Sequence, residues 1–198
     1  MALFPSYARN FQPYPERGAA FRALRPLLER FVEFNFEVTN PAANQGQLTS
    51  HFDAALESAI TKLGARKIEI ELPASISERY DFAFAFDNFT FVVEIEKTNR
   101  EKILRDLLKC HMYLKSGADF CIIALPKNYP HKLGIWKPFN FGLKQYKDCL
   151  TYEFGTPEKL ERILLLRFET CDTSTDEPHS VRSRQAMRLQ ASSPVTQA

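Results

Sequence analysis

The sequence predicts an α/β fold: a central mixed β-sheet with an acidic hairpin, flanked by helices. Three segments carry that reading. Residues 67–72 (KIEIEL) alternate polar and apolar side chains, the pattern of a half-buried strand. Residues 119–125 (DFCIIAL) form an apolar run, the mark of an interior strand. Between them, residues 80–97 (YDFAFAFDNFTFVVEIEK) place two Phe- and Val-rich runs around Asp87-Asn88 and read as a hairpin.

The remaining elements follow in chain order. Residues 1–15 are rich in Pro and aromatics and read as extended. A helix is predicted from Glu16 to about Phe34, with Phe21, Leu24, Leu27, Leu28 and Phe31 on one face and Pro26 as a kink or break. Residues 37–48 read as a loop. A second helix runs from Ser50 to Leu63, with Phe52, Leu56, Ala59, Ile60 and Leu63 as its stripe and Glu57 beside it. After the hairpin, Thr98-x-x-Glu101 is a capping box that opens a helix to about Lys115. Its predicted buried stripe is Ile103, Leu104, Leu107, Leu108 and Leu114. Arg100, Lys102, Arg105 and Lys109 lie on or beside its outer face. His111 reads as a packing residue, and Gly117 ends the helix. Residues 126–150 are basic, aromatic and loop-rich, which suits contacts to phosphates and bases and equally an ordinary packed loop. Thr156-Pro157-Glu158 opens a last helix to about Leu166. Residues 171–198 are polar and read as a disordered tail.

A chain of 198 residues can hold one domain with a full core, here residues 1–170 with its centre at about 50–126. Its 44% hydrophobic content excludes a disordered chain, and 17 Phe against one Trp point to a Phe-built core. No apolar run approaches the length of a membrane span, and the N-terminal residues lack the order of a signal peptide. Cys110, Cys121, Cys149 and Cys171 form no C-x-x-C pair, which argues against a zinc or redox motif. The expectation is free thiols in a reducing cytoplasm.

The hairpin also predicts a site. A two-residue turn at Asp87-Asn88 pairs Phe86 with Phe89, and each outward step keeps the paired numbers summing to 175. Asp81 then lies opposite Glu94. One face carries Asp81, Ala83, Ala85, Thr90, Val92, Glu94 and Glu96, and the other carries the Phe residues, Val93 and Ile95. Like charges directly across a strand pair repel, and desolvated carboxylates cost more. A bound cation reverses that sign, and Mg²⁺ takes one or two carboxylates plus water and a phosphate oxygen. A wet edge hairpin is the competing explanation. From Lys97 to Lys147 there are eleven Lys/Arg and three acids, a net of +8. A basic stretch after an acidic cluster fits a protein that grips a polyanion against a metal. A solvated helix face with Lys-rich loops explains the same run.

The order helix, strand, hairpin with Tyr80-Asp81 and Glu94-Ile95-Glu96, basic helix, then FCIIAL resembles the PD-(D/E)XK nuclease superfamily. Glu96 stands where the usual motif has Lys, so the segment VEIEKTN…RDL is similar to the BamHI/BglII-like branch, whose pattern is E-x-E. The resemblance spans roughly residues 50–126. It implies a restriction-endonuclease-like fold and a Mg²⁺-dependent endonuclease, with Mn²⁺ as a substitute ion. It implies Asp81, Glu94 and the Ile95 carbonyl as metal ligands, and Glu96 positioning or deprotonating the attacking water. Glu57 is an outer-shell or second-metal acid, or simply an exposed helix residue. Lys97, Arg100, Arg105 and Lys109 are the expected DNA contacts, and Lys97 points to the opposite strand face if the strand continues. Double-stranded DNA is the expected partner, and a palindromic site would call for a homodimer. The rival readings are a repair or mobile-element defence nuclease, a non-catalytic DNA-binding module with a decayed site, and a metal-independent interaction domain in which the +8 segment is incidental.

Overall fold

The Phe-rich strands pair as their alternation requires. Phe86 meets Phe89, Ala85 meets Thr90, and the register continues to Phe82 opposite Val93. The turn is the two-residue Asp87-Asn88, with Asp87 at φ 52°, a backbone region that Asp and Asn enter more readily than most residues.

This hairpin sits inside a larger sheet. The computed structural model describes residues 7–33, 36–37, 45–72, 79–97, 100–131, 134–152 and 157–170. Their elements are β1 (Tyr7–Tyr14), α1 (Ala19–Glu33), β2 (Phe36–Glu37), α2 (Gln45–Lys62), β3 (Arg66–Lys67), β4 (Phe82–Phe86), β5 (Phe89–Ile95), α3 (Arg100–Lys115), β6 (Phe120–His131), β7 (Gly134–Trp136), α4 (Pro138–Thr151), α5 (Pro157–Leu160) and β8 (Ile163–Glu169). The strand order is β2-β1-β8-β6-β5-β4-β3, with β7 on β6. β5, β6 and β8 form the parallel centre. β1, β4 and β3 join it antiparallel on the outside.

Helices cover both faces, so the central strands are buried on both sides, which is why β6 and β8 read as unbroken apolar runs. One core lies under α1 and α2 and is built on Phe, with Phe11, Phe52, Phe84, Phe91 and Phe168 all buried. Phe52 and Phe168 stack at 5.3 Å, and Phe84 and Phe91 at 5.5 Å. The other core lies under α3 and α4 and sets aliphatic groups such as Ala83, Val92, Ile103 and Leu107 around the larger Tyr113 and Tyr146. Gly142 lets α4 approach the sheet, since a Cβ there would stand 2.4 Å from Leu125 Cδ1. Where β5 begins, the Thr90 N–H and hydroxyl donate to Asp119 Oδ2 at 2.8 and 2.9 Å, tying it to the start of β6.

Several sequence expectations change. The segment 67–72 is not a full strand: only Arg66 and Lys67 are in the ladder, and the Ile68 N–H reaches Ala83 O at 2.9 Å. Ile68, Ile70 and Leu72 still pack on the second core as their alternation implies. The Tyr80 hydroxyl accepts the Ile70 N–H at 2.7 Å, so a side chain takes a partner strand's place. Residues 126–150 are not mainly loop: β6 runs on to His131, β7 turns back on it, and α4 follows with Pro in its first turn. The last predicted helix stops at Leu160, and Ile163–Glu169 is β8 between β1 and β6. A short apolar run has no periodicity to separate strand from buried helix; pairing on both sides decides it.

On α3 the buried stripe is Ile103, Leu107, Cys110, Tyr113 and Leu114, whereas Leu104 and Leu108 are 42% and 41% exposed. α1 passes through Pro26 unbroken, and α2 starts at Gln45, within the predicted loop. Cys110, Cys121 and Cys149 are buried free thiols. Among the described residues no helix is long and apolar enough to cross a membrane. The Thr98 cap, Cys171 and the predicted tail lie outside the described residues.

Candidate active site

Asp81 stands one residue before β4, where the hairpin ladder ends. Its Oδ2 accepts the Ile95 N–H at 2.7 Å, so the carboxylate substitutes for the missing strand partner. On the other side of β5, Glu94 and Ile95 pair with Ile123 and Ala124 of β6, and the Glu96 N–H donates to Ala124 O at 3.2 Å. The E-x-E segment is therefore held by a side-chain carboxylate on one side and by backbone bonds on the other.

Glu94 points under α3. It is only 4% exposed. Its Oε1 accepts the Tyr113 hydroxyl at 2.7 Å and the Lys109 ammonium at 2.7 Å. Burial raises the Glu94 carboxyl to about 7, against the lowering effect of Lys109 and Tyr113. Asp106, one turn earlier on α3, is 6% exposed. Burial raises it to about 6, with Lys109 opposing. The Lys109 Nζ lies 3.7 Å from Asp106 Oδ1 and 5.8 Å from the Tyr113 ring centroid.

These groups open onto a cavity of about 280 Å³ lined by Arg79, Asp81, Glu94, Ile95, Glu96, Lys102, Arg105, Asp106 and Lys109. The α3 contributors follow helical 3–4 spacing, so the helix carries a charged stripe beside its apolar one. The buried acids of the lining are Glu94, Glu96 and Asp106, while Asp81 is exposed. Arg79, Lys102 and Arg105 are exposed and form a basic rim, the charge pattern that draws in a polyanion.

Of the residues singled out from the sequence, Asp81, Glu94, Ile95, Glu96, Arg105 and Lys109 come together here. Lys109, expected as a DNA contact, is an internal partner of Glu94. Lys97, expected as another, is 7% exposed and lies on the opposite face of β5. Its ammonium bonds Asp53 of α2 and sits 5.3 Å from the Phe52 ring centroid. Glu57 pairs with Lys67 at 2.5 Å and does not line the cavity. The Arg100 side chain lies outside the described residues.

Sequence reasoning missed four contributors: Arg79, Asp106, Tyr113 and Asp53. The Asp53 carboxyl is raised chiefly by burial, with Lys97 opposing and Asp81 and Glu96 adding to the rise. It is the α2 acid bonded to Lys97, one turn before Glu57. The signal for Asp106 and Tyr113 was present, since both share a helical stripe with Lys109.

Two carboxylates and a backbone carbonyl are donors for a hard, oxygen-seeking cation, with water and a phosphate oxygen completing the shell. Among the described residues no group of three or more His, Cys, Asp or Glu side chains forms a ready-made metal cage. No protein-family model matches the chain, and no curated protein matches its sequence.

Proposed function

We propose that this protein is a Mg²⁺-dependent DNA endonuclease of the restriction-endonuclease-like class. The carrying observation is the Asp81–Ile95 bond, which sets a carboxylate against the E-x-E segment at a cavity with a basic rim. The order α2, β3, β4–β5 hairpin, α3, β6, with β6 parallel to β5, supports the fold assignment. Asp81, Glu94 and the Ile95 carbonyl would hold the ion, and Mn²⁺ would serve in its place. Bound there, it would supply positive charge to a phosphate oxygen and lower the pKa of a water. Glu96 orients the attacking water and takes its proton. Arg79, Lys102 and Arg105 bind the DNA backbone.

The substrate is double-stranded DNA, with a homodimer expected if the site is palindromic. Type II restriction is the first biological reading, and repair or mobile-element defence is the alternative. The buried thiols fit a reducing cytoplasm.

One observation favours a second reading, a DNA-binding module without catalysis: Lys109 already balances Glu94. Incubation of purified protein with unmethylated plasmid, in Mg²⁺, Mn²⁺ or EDTA, separates the two. Cleavage that EDTA abolishes supports the nuclease. DNA binding that survives EDTA, with no cleavage in either ion, rejects it in favour of the binding module.

A further inference from the structure

We infer that Lys109 is a movable cation: it neutralises Glu94 in the metal-free protein and shifts toward Asp106 when a divalent ion occupies Glu94, presenting its ammonium to the substrate phosphate. This rests on the metal-dependent reading above and assigns a role that the reading leaves open.

Lys109 has two acceptors at unequal distance, Glu94 Oε1 at 2.7 Å and Asp106 Oδ1 at 3.7 Å. The side chains are nearly enclosed, Lys109 at 11%, Glu94 at 5% and Asp106 at 9% exposure. In such surroundings a carboxylate needs a counter-cation, because an unpaired buried charge is strongly destabilising. Lys109 meets that need for Glu94. The same contact becomes a conflict once a dication binds Glu94, because two cations on one carboxylate repel in a medium of low polarity.

Lys109 can resolve the conflict without leaving the site. Its four-carbon stem is flexible, and its three donors rotate freely. Asp106 lies one helical turn back, so a small swing keeps the ammonium paired. Both acids and Lys109 line the same cavity, and the swing stays within it. Lys97 cannot take this part, being bound to Asp53 on the far face of β5. Asp106 thereby gains a purpose that its burial on a helix otherwise lacks.

The test follows the Lys109 ammonium directly, by ¹⁵N NMR of lysine side chains in the full-length protein. The Lys109→Arg variant assigns the signal, and Mg²⁺ is titrated without DNA while calorimetry reports binding. The expected result is a saturable displacement of the Lys109 signal that is absent in Asp81→Asn. Lys109→Met should also lose about a hundredfold or more in plasmid cleavage, the scale for removing one charge-stabilising donor, while still binding Mg²⁺. An unmoved Lys109 signal despite Mg²⁺ binding overturns the inference and leaves the nuclease reading intact. So does wild-type cleavage by Lys109→Met. Absence of Mg²⁺ binding to the wild type overturns both. If Lys109→Met fails to fold, the titration of the wild type decides alone.

Discussion

β5 and the two residues that follow it divide into two halves that obey different physics. From Phe89 to Val93 the side chains are apolar except Thr90, and Phe91, Val92 and Val93 are buried between the two cores. Their placement follows from area removed from water. From Glu94 to Lys97 three charged side chains are almost as buried, at 4%, 6% and 7% exposure for Glu94, Glu96 and Lys97. Glu94 needs Lys109 and Tyr113, and Lys97 needs Asp53. Such pairs add little stability over apolar residues of like size. The first half of the strand holds the fold together; the second keeps charge in place at some cost to it, as expected where a site has been built into a sheet.

Substitutions in the two halves should therefore separate activity from stability. The largest expected effect is on cleavage. Asp81→Asn and Glu94→Gln should each lower Mg²⁺-dependent plasmid cleavage by at least about a hundredfold, with the protein still folded by circular dichroism. Wild-type rates in both purified variants would remove the acidic half from the mechanism.

Next is Phe91→Ala in the apolar half. Phe91 is fully buried and stacked on Phe84. Its loss should cost about 3–5 kcal/mol in denaturant unfolding, the range for a large side chain removed from a core. A cost below about 1 kcal/mol would mean that the site collapses freely, contrary to close packing.

The third contrast is with pH. Glu94 is raised to about 7 and Asp106 to about 6, from ordinary values of 4.5 and 3.8. The folded protein thus binds these protons more tightly than the unfolded chain. Their stabilising contribution is complete below the unfolded values and is lost as pH rises through 6 and 7. In EDTA the melting temperature should fall between pH 5 and pH 8 on account of these groups, and Mg²⁺ should flatten the slope. In EDTA, the same slope in a Glu94→Gln/Asp106→Asn double variant would assign it to other residues.

The smallest effect belongs to Leu104, exposed on α3 although its spacing suggests core. Leu104→Ser should change unfolding free energy by no more than about 0.5 kcal/mol; a cost near that of Phe91→Ala would put Leu104 back in the core.

Local pattern was legible wherever one interaction dominates. The turn residues and the Phe alternation set the hairpin register, because a one-residue slip would turn every Phe to the other face. The same register carried Asp81 to the E-x-E segment. Leu104 and Leu107 show the limit, since both fit an apolar helical stripe and only the angle at which α3 meets the sheet selects between them. Residues 163–169 show another, since ILLLRFE is equally apolar as helix or strand.

What the sequence determined by itself was the α/β class, the hairpin and its register, the Phe core and the grouping of Asp81, Glu94 and Glu96. Each depends on residues close in the chain, where backbone geometry dictates which side chains share a face. Tertiary structure alone decided that Lys97 and Lys109 are internal, that Asp53 pairs with Lys97 while Glu57 pairs with Lys67, and that Lys109 and Tyr113 bond Glu94. Those pairings join β3 and the β5 segment to α2 and α3, and the docking of a helix on a sheet is fixed by packing of the whole core. A buried charge then takes whichever partner that packing brings within reach.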